Sequence, residues 1–306
     1  MNKTLIFGHK SPDTDTITSS ICLANLKNKL GEDVEAVRLG NINKETAYVL
    51  NYFGIEAPRE IKEVKEAQDV ILVDHNEFAQ SVEGIGKANI KMVVDHHRIA
   101  DFVTAEPLYY IAEPVGCTAT IIYDLYVRNN IEIEKDIAGL MLSAIISDTL
   151  LFKSPTCTKK DVEVASKLEK IAQVDVNVYG LNMLKAGTDL SDLTEKELIN
   201  LDAKEVALGS YNAIVAQVNT VDFDEMLKRK EKLENEIKGE IESKGLDLFV
   251  LAITDILNSN SYAIVLGEKK DVFEKAFNVT LEDNKAFLPG VVSRKKQLIP
   301  NLMKNV

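Results

Sequence analysis

The chain has little of several things that usually announce a function. Its 306 residues include three cysteines, Cys22, Cys117 and Cys157, widely spaced and without a CxxC pair. Neither a disulfide framework nor a thiolate zinc site is expected from them. No apolar run approaches the roughly 18 residues that a membrane helix needs, and the N-terminus carries no apolar h-region with a cleavage site. A soluble, cytoplasmic protein without a membrane partner is the expectation. Cations are outnumbered, 36 Lys and Arg against 48 Asp and Glu for a net charge of −12, and no basic stripe interrupts the surplus. A nucleic-acid partner is therefore not expected. No Walker-type GxxxxGK[ST] occurs, and Gly84-Ile85-Gly86 is followed by Asn89 where a dinucleotide fingerprint requires glycine. Asp13-Thr14-Asp15 lacks the glycine and terminal glutamate of a calcium loop, and Ser143 and Ser147 have no histidine after them in the sequence. There is no internal repeat and no low-complexity tract.

Histidine is scarce too, and its placement is informative. The only four are His9, His75, His96 and His97, and each lies where a short apolar run ends in acidic residues. Leu5-Ile6-Phe7 leads into Gly8-His9-Lys10-Ser11-Pro12-Asp13-Thr14-Asp15, Ile71-Leu72-Val73 into Asp74-His75-Asn76, and Met92-Val93-Val94 into Asp95-His96-His97. In open α/β sheets ligands bind beyond the carboxyl ends of the strands. A single histidine is commonly structural, but four of four beside strand-end aspartates point to a metal site.

From residue 3 to about 113, strand-like and helix-like segments alternate. Lys3–Phe7, Val34–Leu39, Val70–Val73, Ile90–Val94 and Leu108–Ala112 read as strands, and the near-continuous apolar runs among them suit a parallel sheet buried on both faces. Ile17–Leu30 and a segment from Asn43 to Phe53, closed by Gly54, read as helices. Cys117–Arg128, Lys135–Ile146, Lys160–Ala172 and Val176–Lys185 carry helical periodicity. The polar run from Gly187 to Asp192 breaks it and suggests a linker over 188–193. Beyond lie a short helix (Glu195–Leu201), strands Tyr211–Thr220, Leu246–Thr254 and Tyr262–Leu266, and a charged helix from Asp224 to about Lys244. The predicted fold is α/β: an N-terminal parallel-sheet domain with helices on both faces over 1–187, and a smaller C-terminal α/β domain over 194–306.

Asp13, Asp15, Asp74 and Asp148 are candidates to converge on one pocket. Two unit charges about 4 Å apart repel by roughly 4 kcal/mol at an effective dielectric near 20. Several such pairs would rival the about 5–15 kcal/mol of a whole domain's stability. Divalent cations resolve that conflict more simply than protons. Imidazoles among carboxylates form a fairly hard donor set, suited to Mn²⁺, Co²⁺ or Mg²⁺. Two such ions about 3.5–4 Å apart can hold a bridging hydroxide and clamp an in-line phosphoryl displacement. Arg294-Lys295-Lys296 reads either as a basic turn before a terminal helix or as a clamp on a phosphate substrate, and Lys204 carries the same ambiguity.

The first-loop motif from Gly8 to Asp15, Asp74-His75-Asn76, Asp95-His96-His97 and Ser293-Arg294-Lys295-Lys296, in that order along the whole chain, resemble the signature of family II inorganic pyrophosphatases. These are manganese-dependent members of the Asp-His-His (DHH) phosphoesterase superfamily. The resemblance implies two Mn²⁺ (or Co²⁺) per subunit and additional Mg²⁺ with the substrate, pyrophosphate. One ion would be held by His9, Asp13, Asp74 and Asp148, the other by Asp15, His96, Asp74 and Asp148. His97, Lys204, Arg294 and Lys295 would contact pyrophosphate, with His97 also a proton donor to the leaving group. It further implies a DHHA2-like C-terminal substrate-binding domain that closes over the metals, and a homodimer formed through the N-terminal domain. Fewer than sixty residues separate Asp15 from Asp74, too few for the nucleotide-sensing insert that some members carry there. No role is implied for His75 or Lys296.

Two rivals stand beside this expectation. Exopolyphosphatases and oligonucleotide-cleaving relatives share the Asp-His-His tripeptide. The former place Asn where His9 stands, and the latter end in a His-containing motif that a chain without histidine after His97 lacks. A non-catalytic, metal-stabilised scaffold would bind metal without turnover.

Overall fold

The protein is described from a computed structural model, over residues 3–306. It divides into two compact units, 1–187 and 188–306. The first unit runs β1 (Thr4–Phe7), α1 (Thr14–Lys29), β2 (Val34–Arg38), α2 (Lys44–Phe53), β3 (Arg59–Glu60), β4 (Asp69–Val73), β5 (Asn89–Asp95) and β6 (Tyr109–Ala112). Helices α3 (Thr118–Arg128), α4 (Lys135–Asp148), α5 (Lys159–Ala172) and α6 (Val176–Gly187) complete it. All six strands are parallel, in the order β3-β2-β1-β4-β5-β6.

Successive strand residues point to opposite faces, and here both faces are apolar. Phe7, Val37, Val70, Leu72 and Val93 pack with Val82, Ile85, Phe78 and Phe102 on one side, where the covering segments include single 3₁₀ turns at 78–80 and 85–87. The alternate residues Ile6, Ile71, Val73 and Val94 are equally buried, and α1 and α3 lie against this sheet. The order reverses between β1 and β4. Connections leave that pair in opposite directions, so a crevice opens beyond their carboxyl ends, the place where such sheets bind ligands. Gly8 to Asp13 and Asp74 to Asn76 are the segments that leave it.

The second unit contains α7 (Glu195–Asn200), β7 (Ala203–Leu208), β8 (Tyr211–Thr220), α8 (Phe223–Lys228), α9 (Lys230–Lys244), β9 (Leu248–Asp255), β10 (Asn260–Leu266), α10 (Lys270–Phe277), β11 (Lys285–Pro289) and α11 (Ile299–Lys304). Its sheet, β11-β10-β9-β8-β7, is mixed: β8 and β9 pair in parallel, the other neighbours antiparallel. Every residue of β9 is buried. Leu248, Val250 and Ala252 join Phe273 and Leu302 on one face, and Phe249, Leu251 and Ile253 join Leu198, Met226 and Ile237 on the other. Each unit thus has a core of its own. The expected single helix from Asp224 to Lys244 is two, interrupted at Arg229. Arg229 reaches back to the carbonyls of Leu190 (3.1 Å) and Leu193 (2.6 Å), so the polar segment after Gly187 is tied to the second unit by its latter half.

Candidate metal centre

The chain leaves β1 through Gly8, where any Cβ would collide with the Thr16 side chain. Asp13 then caps α1, its Oδ1 accepting from the Thr16 N–H at 2.9 Å, and the helix starts at Thr14 rather than at the expected Ile17. An N-cap carboxylate satisfies an otherwise unpaired N–H, and the positive end of the helix dipole favours charge on Asp13 and Asp15. Asp15 is fully buried. Its Oδ1 accepts from the Ser19 hydroxyl (2.6 Å) and its Oδ2 from the Thr118 N–H (2.7 Å).

Asp74 takes the chain off β4 with φ of +57°, a left-handed conformation uncommon for a residue with a Cβ. Its two oxygens serve different neighbours. Oδ2 accepts from Thr16 Oγ1 (2.7 Å) and lies 3.6 Å from His9 Nε2, while Oδ1 accepts from Thr118 Oγ1 (3.1 Å) and lies 3.3 Å from His96 Nε2. Asp148 is the last residue of α4, which packs against α1, and its Oδ2 lies 3.7 Å from His96 Nε2. There the helix dipole opposes a negative charge. Directly after it Leu150, Leu151 and Phe152 all have positive φ, 47°, 52° and 66°, a left-handed turn that three L-residues adopt only at a cost.

The histidines divide by hydrogen bonding. His96 Nδ1 donates to the Val115 carbonyl at 3.0 Å, so in the neutral ring the Nε2 lone pair faces Asp74 and Asp148. His97 Nδ1 donates to Asp95 Oδ1 at 3.0 Å, and Asp95 Oδ2 accepts from Asn76 Nδ2 at 2.6 Å, leaving the half-exposed ring with a free Nε2. His75 departs from the other three. Its Nδ1 donates to the Val73 carbonyl (2.9 Å), its Nε2 accepts from Ser81 (3.1 Å), and burial pushes its pKa down to about 4. It is a neutral structural residue with no nitrogen to spare, so three histidines rather than four reach the cluster.

Donor atoms within 4.8 Å of one another define three overlapping groups: His9, Asp13 and Asp74; Asp15, Asp74, His96 and Asp148; and Asp74, His96 and His97. Asp74 belongs to all of them, and Asp148 joins the second. Nitrogen-to-oxygen gaps of 3.3–3.7 Å run from the long end of hydrogen bonding outward. They suit neighbouring donors around one cation with bonds of about 2.1 Å. The electrostatics agree. Burial, and then the charge of Asp15, pushes Asp74 up to about 7 against the pull of His96. Burial and the charges of Asp15 and Asp74 also raise Asp148. Burial would lower His96, yet the Asp74 hydrogen bond and the Asp15 charge carry it to about 9. Burial likewise opposes the rise of His9, which its hydrogen bond and charge contact with Asp13 produce. Divalent cations ease the crowding of carboxylates buried this close together, and this donor set of imidazoles and oxygens without thiolate fits Mn²⁺.

Supports without a side-chain signature of their own complete the centre. The segment 115–118 supplies the Val115 carbonyl and both donors of Thr118. Asp161 holds it in place, accepting from the Gly116 N–H (2.9 Å) and from Thr120 Oγ1 (2.6 Å). A Cβ on Gly116 would stand 2.9 Å from Asp161 Oδ2 and 3.0 Å from Thr149 Cγ2. Glu45 Oε1 accepts from Thr14 (2.6 Å) and Ser147 (2.5 Å), the neighbours of Asp13, Asp15 and Asp148.

The second unit carries the other named residues. Lys204 is exposed on β7, and Arg294 and Lys295 open a single π-helical turn, 294–298, ahead of α11.

Residues 3–145 match the family model described as "DHH family, N-terminal domain", and residues 181–305 match the "DHHA2 domain". Over 303 residues the chain is 61% identical to a probable manganese-dependent inorganic pyrophosphatase of Exiguobacterium sp. and 60% identical to the manganese-dependent inorganic pyrophosphatase of Bacillus subtilis, covering 99% of this chain and 98% of each relative. It also matches the crystal structure of a putative family II inorganic pyrophosphatase of Methanococcus jannaschii, at 41% identity and a TM-score of 0.62 over 98% of both chains. With both domain models and full-length relatives in agreement, the chain belongs to the manganese-dependent, family II inorganic pyrophosphatases of the DHH superfamily.

Proposed function

We propose that this protein hydrolyses pyrophosphate to two orthophosphates at a centre for two Mn²⁺, which would be held by His9, Asp13, Asp74 and Asp148 on one side and by Asp15, Asp74, His96 and Asp148 on the other. The observation that carries this reading is Asp74, whose two oxygens face the two histidines of different donor groups. Bound divalent ions supply Lewis acidity, lowering the pKa of water and neutralising phosphoryl charge. The protein's own groups do the rest. Thr16 and Thr118 fix the Asp74 carboxylate, and the Val115 carbonyl keeps His96 in the tautomer that can bind a cation. His97, with Nδ1 bound to Asp95, offers Nε2 to the substrate and can deliver a proton to the leaving phosphate. Arg294, Lys295 and Lys204 balance the charge of the transferring and leaving groups.

The same reading has Mg²⁺ arriving with pyrophosphate, Co²⁺ able to replace Mn²⁺, 188–193 serving as the linker between the domains, and a cytoplasmic homodimer. Support comes from the family and, for Mn²⁺, from the donor set. A substrate panel on the purified, Mn²⁺-loaded protein tests it. Orthophosphate release from pyrophosphate should exceed that from tripolyphosphate or dinucleotides by orders of magnitude. A preference for longer polyphosphate would instead make it an exopolyphosphatase, and metal binding without turnover a scaffold.

A further inference from the structure

Arg294 does not hang free in the second unit. Its Nη1 donates to the main-chain carbonyl of Asp202 at 2.5 Å, and its Nη2 pairs with Asp202 Oδ1 at 2.8 Å. Gln217, on β8, fixes the main chain at both partners. Its N–H donates to the Asp202 carbonyl (3.0 Å) and its Oε1 accepts from the Arg294 N–H (2.8 Å). Its Nε2 donates to the Val292 carbonyl (3.0 Å) and to Thr254 Oγ1 (2.9 Å), which ties the start of the basic turn to the sheet. One donor of the guanidinium, Nε–H, is shielded from solvent and has no partner.

We propose that Asp202 is a positioning residue for Arg294: carboxylate and carbonyl together grip the outer end of the guanidinium, so that the remaining N–H groups are held ready for a phosphate oxygen of the substrate. A free arginine side chain would have to lose rotamer freedom on binding. One seated on Asp202 and Gln217 has lost it already, and that preorganisation favours the bound state. Asp202 itself touches no substrate in this scheme. It lies two residues from Lys204, so one strand start would serve both cations.

The inference rests on the pyrophosphatase reading, and a double-mutant cycle separates the two. Asp202→Ala, Arg294→Ala and the double variant are compared with the parent for KM and kcat on magnesium pyrophosphate, with Mn²⁺ content and thermal midpoint measured alongside. Asp202→Ala should raise KM about tenfold, the loss of one charge-assisted contact, with metal content and midpoint unchanged. In the Arg294→Ala background the same substitution should change KM by less than about twofold. Asp202→Asn, which keeps an acceptor for Nη2, should restore most of the loss. Additive effects in the cycle would overturn the inference, and so would a lower KM for Asp202→Ala, which would make the carboxylate a competitor of the substrate. If Asp202→Ala does not fold, Asp202→Ser removes the carboxylate and is read in the same cycle. A parent enzyme inactive on pyrophosphate would defeat the functional reading, whereas an active parent with an additive cycle would defeat only the role of Asp202.

Discussion

At the scale of the residue, three histidines within 23 positions behave differently because their partners differ. His75 has both nitrogens committed to the fold, His96 has one committed and one turned to carboxylates, and His97 is set by a buried aspartate with its other nitrogen free. Sequence identifies the residue type and the strand end. It does not show that the carbonyl of Val73 would be used by one ring and that of Val115 by another, because main-chain acceptors are invisible in it. The titration of the centre gives a direct expectation. Asp74, raised to about 7, and His96, raised to about 9, hold protons that a cation must displace. Affinity for Mn²⁺ should therefore climb from pH 6 to pH 8, with proton release on binding. Titration calorimetry in two buffers of different ionisation enthalpy measures both. An affinity flat over this range would mean that these carboxylates and imidazoles do not bind the ion.

At the scale of the element, the centre exists because two helices present opposite ends to it. The N-terminus of α1 welcomes the carboxylates of Asp13 and Asp15, and the C-terminus of α4 opposes that of Asp148. The apolar runs that became β1, β4 and β5 were legible, and so was the Asn43 cap of α2 with Gly54 in the left-handed conformation after it. The first turn of α1 was not, since Asp13-Thr14-Asp15 reads equally as loop until Thr16 is seen bonded to the cap. Strands β3, β7 and β11 and helix α10 escaped too: β3 and β11 are short, β7 carries Lys and Glu among its apolar residues, and the two turns of α10 hold too few apolar positions to set a period. The segment 115–118 escaped for a different reason: its contribution is mostly backbone. Gly116→Ala should push that segment off Asp161 and Thr149, moving the Val115 carbonyl and the Thr118 N–H together. We expect Mn²⁺ affinity to fall about 10–100-fold, the range typical of groups that orient metal-binding side chains, measured by competition with a metal indicator. Unaltered affinity would show that the segment only packs.

At the scale of the whole molecule, two units with separate cores imply two separable stabilities. Among the described residues, all the candidate metal-binding groups lie in the first. A ligand that binds only the folded form stabilises that form by mass action. Scanning calorimetry should thus resolve two transitions, of which Mn²⁺ raises one and a chelator lowers the same one, leaving the other in place. A single transition moving as a whole would mean that the units unfold together. The left-handed coil at Leu150, Leu151 and Phe152 adds a mechanical side to this coupling. Backbone wound against its natural hand behaves like a cocked spring, and here the latch is its own hydrogen bonds, Leu151 N–H to the Ile146 carbonyl (2.9 Å) and Ser154 N–H to the Thr149 carbonyl (2.8 Å), so the fold of the first unit itself holds the tension next to Asp148.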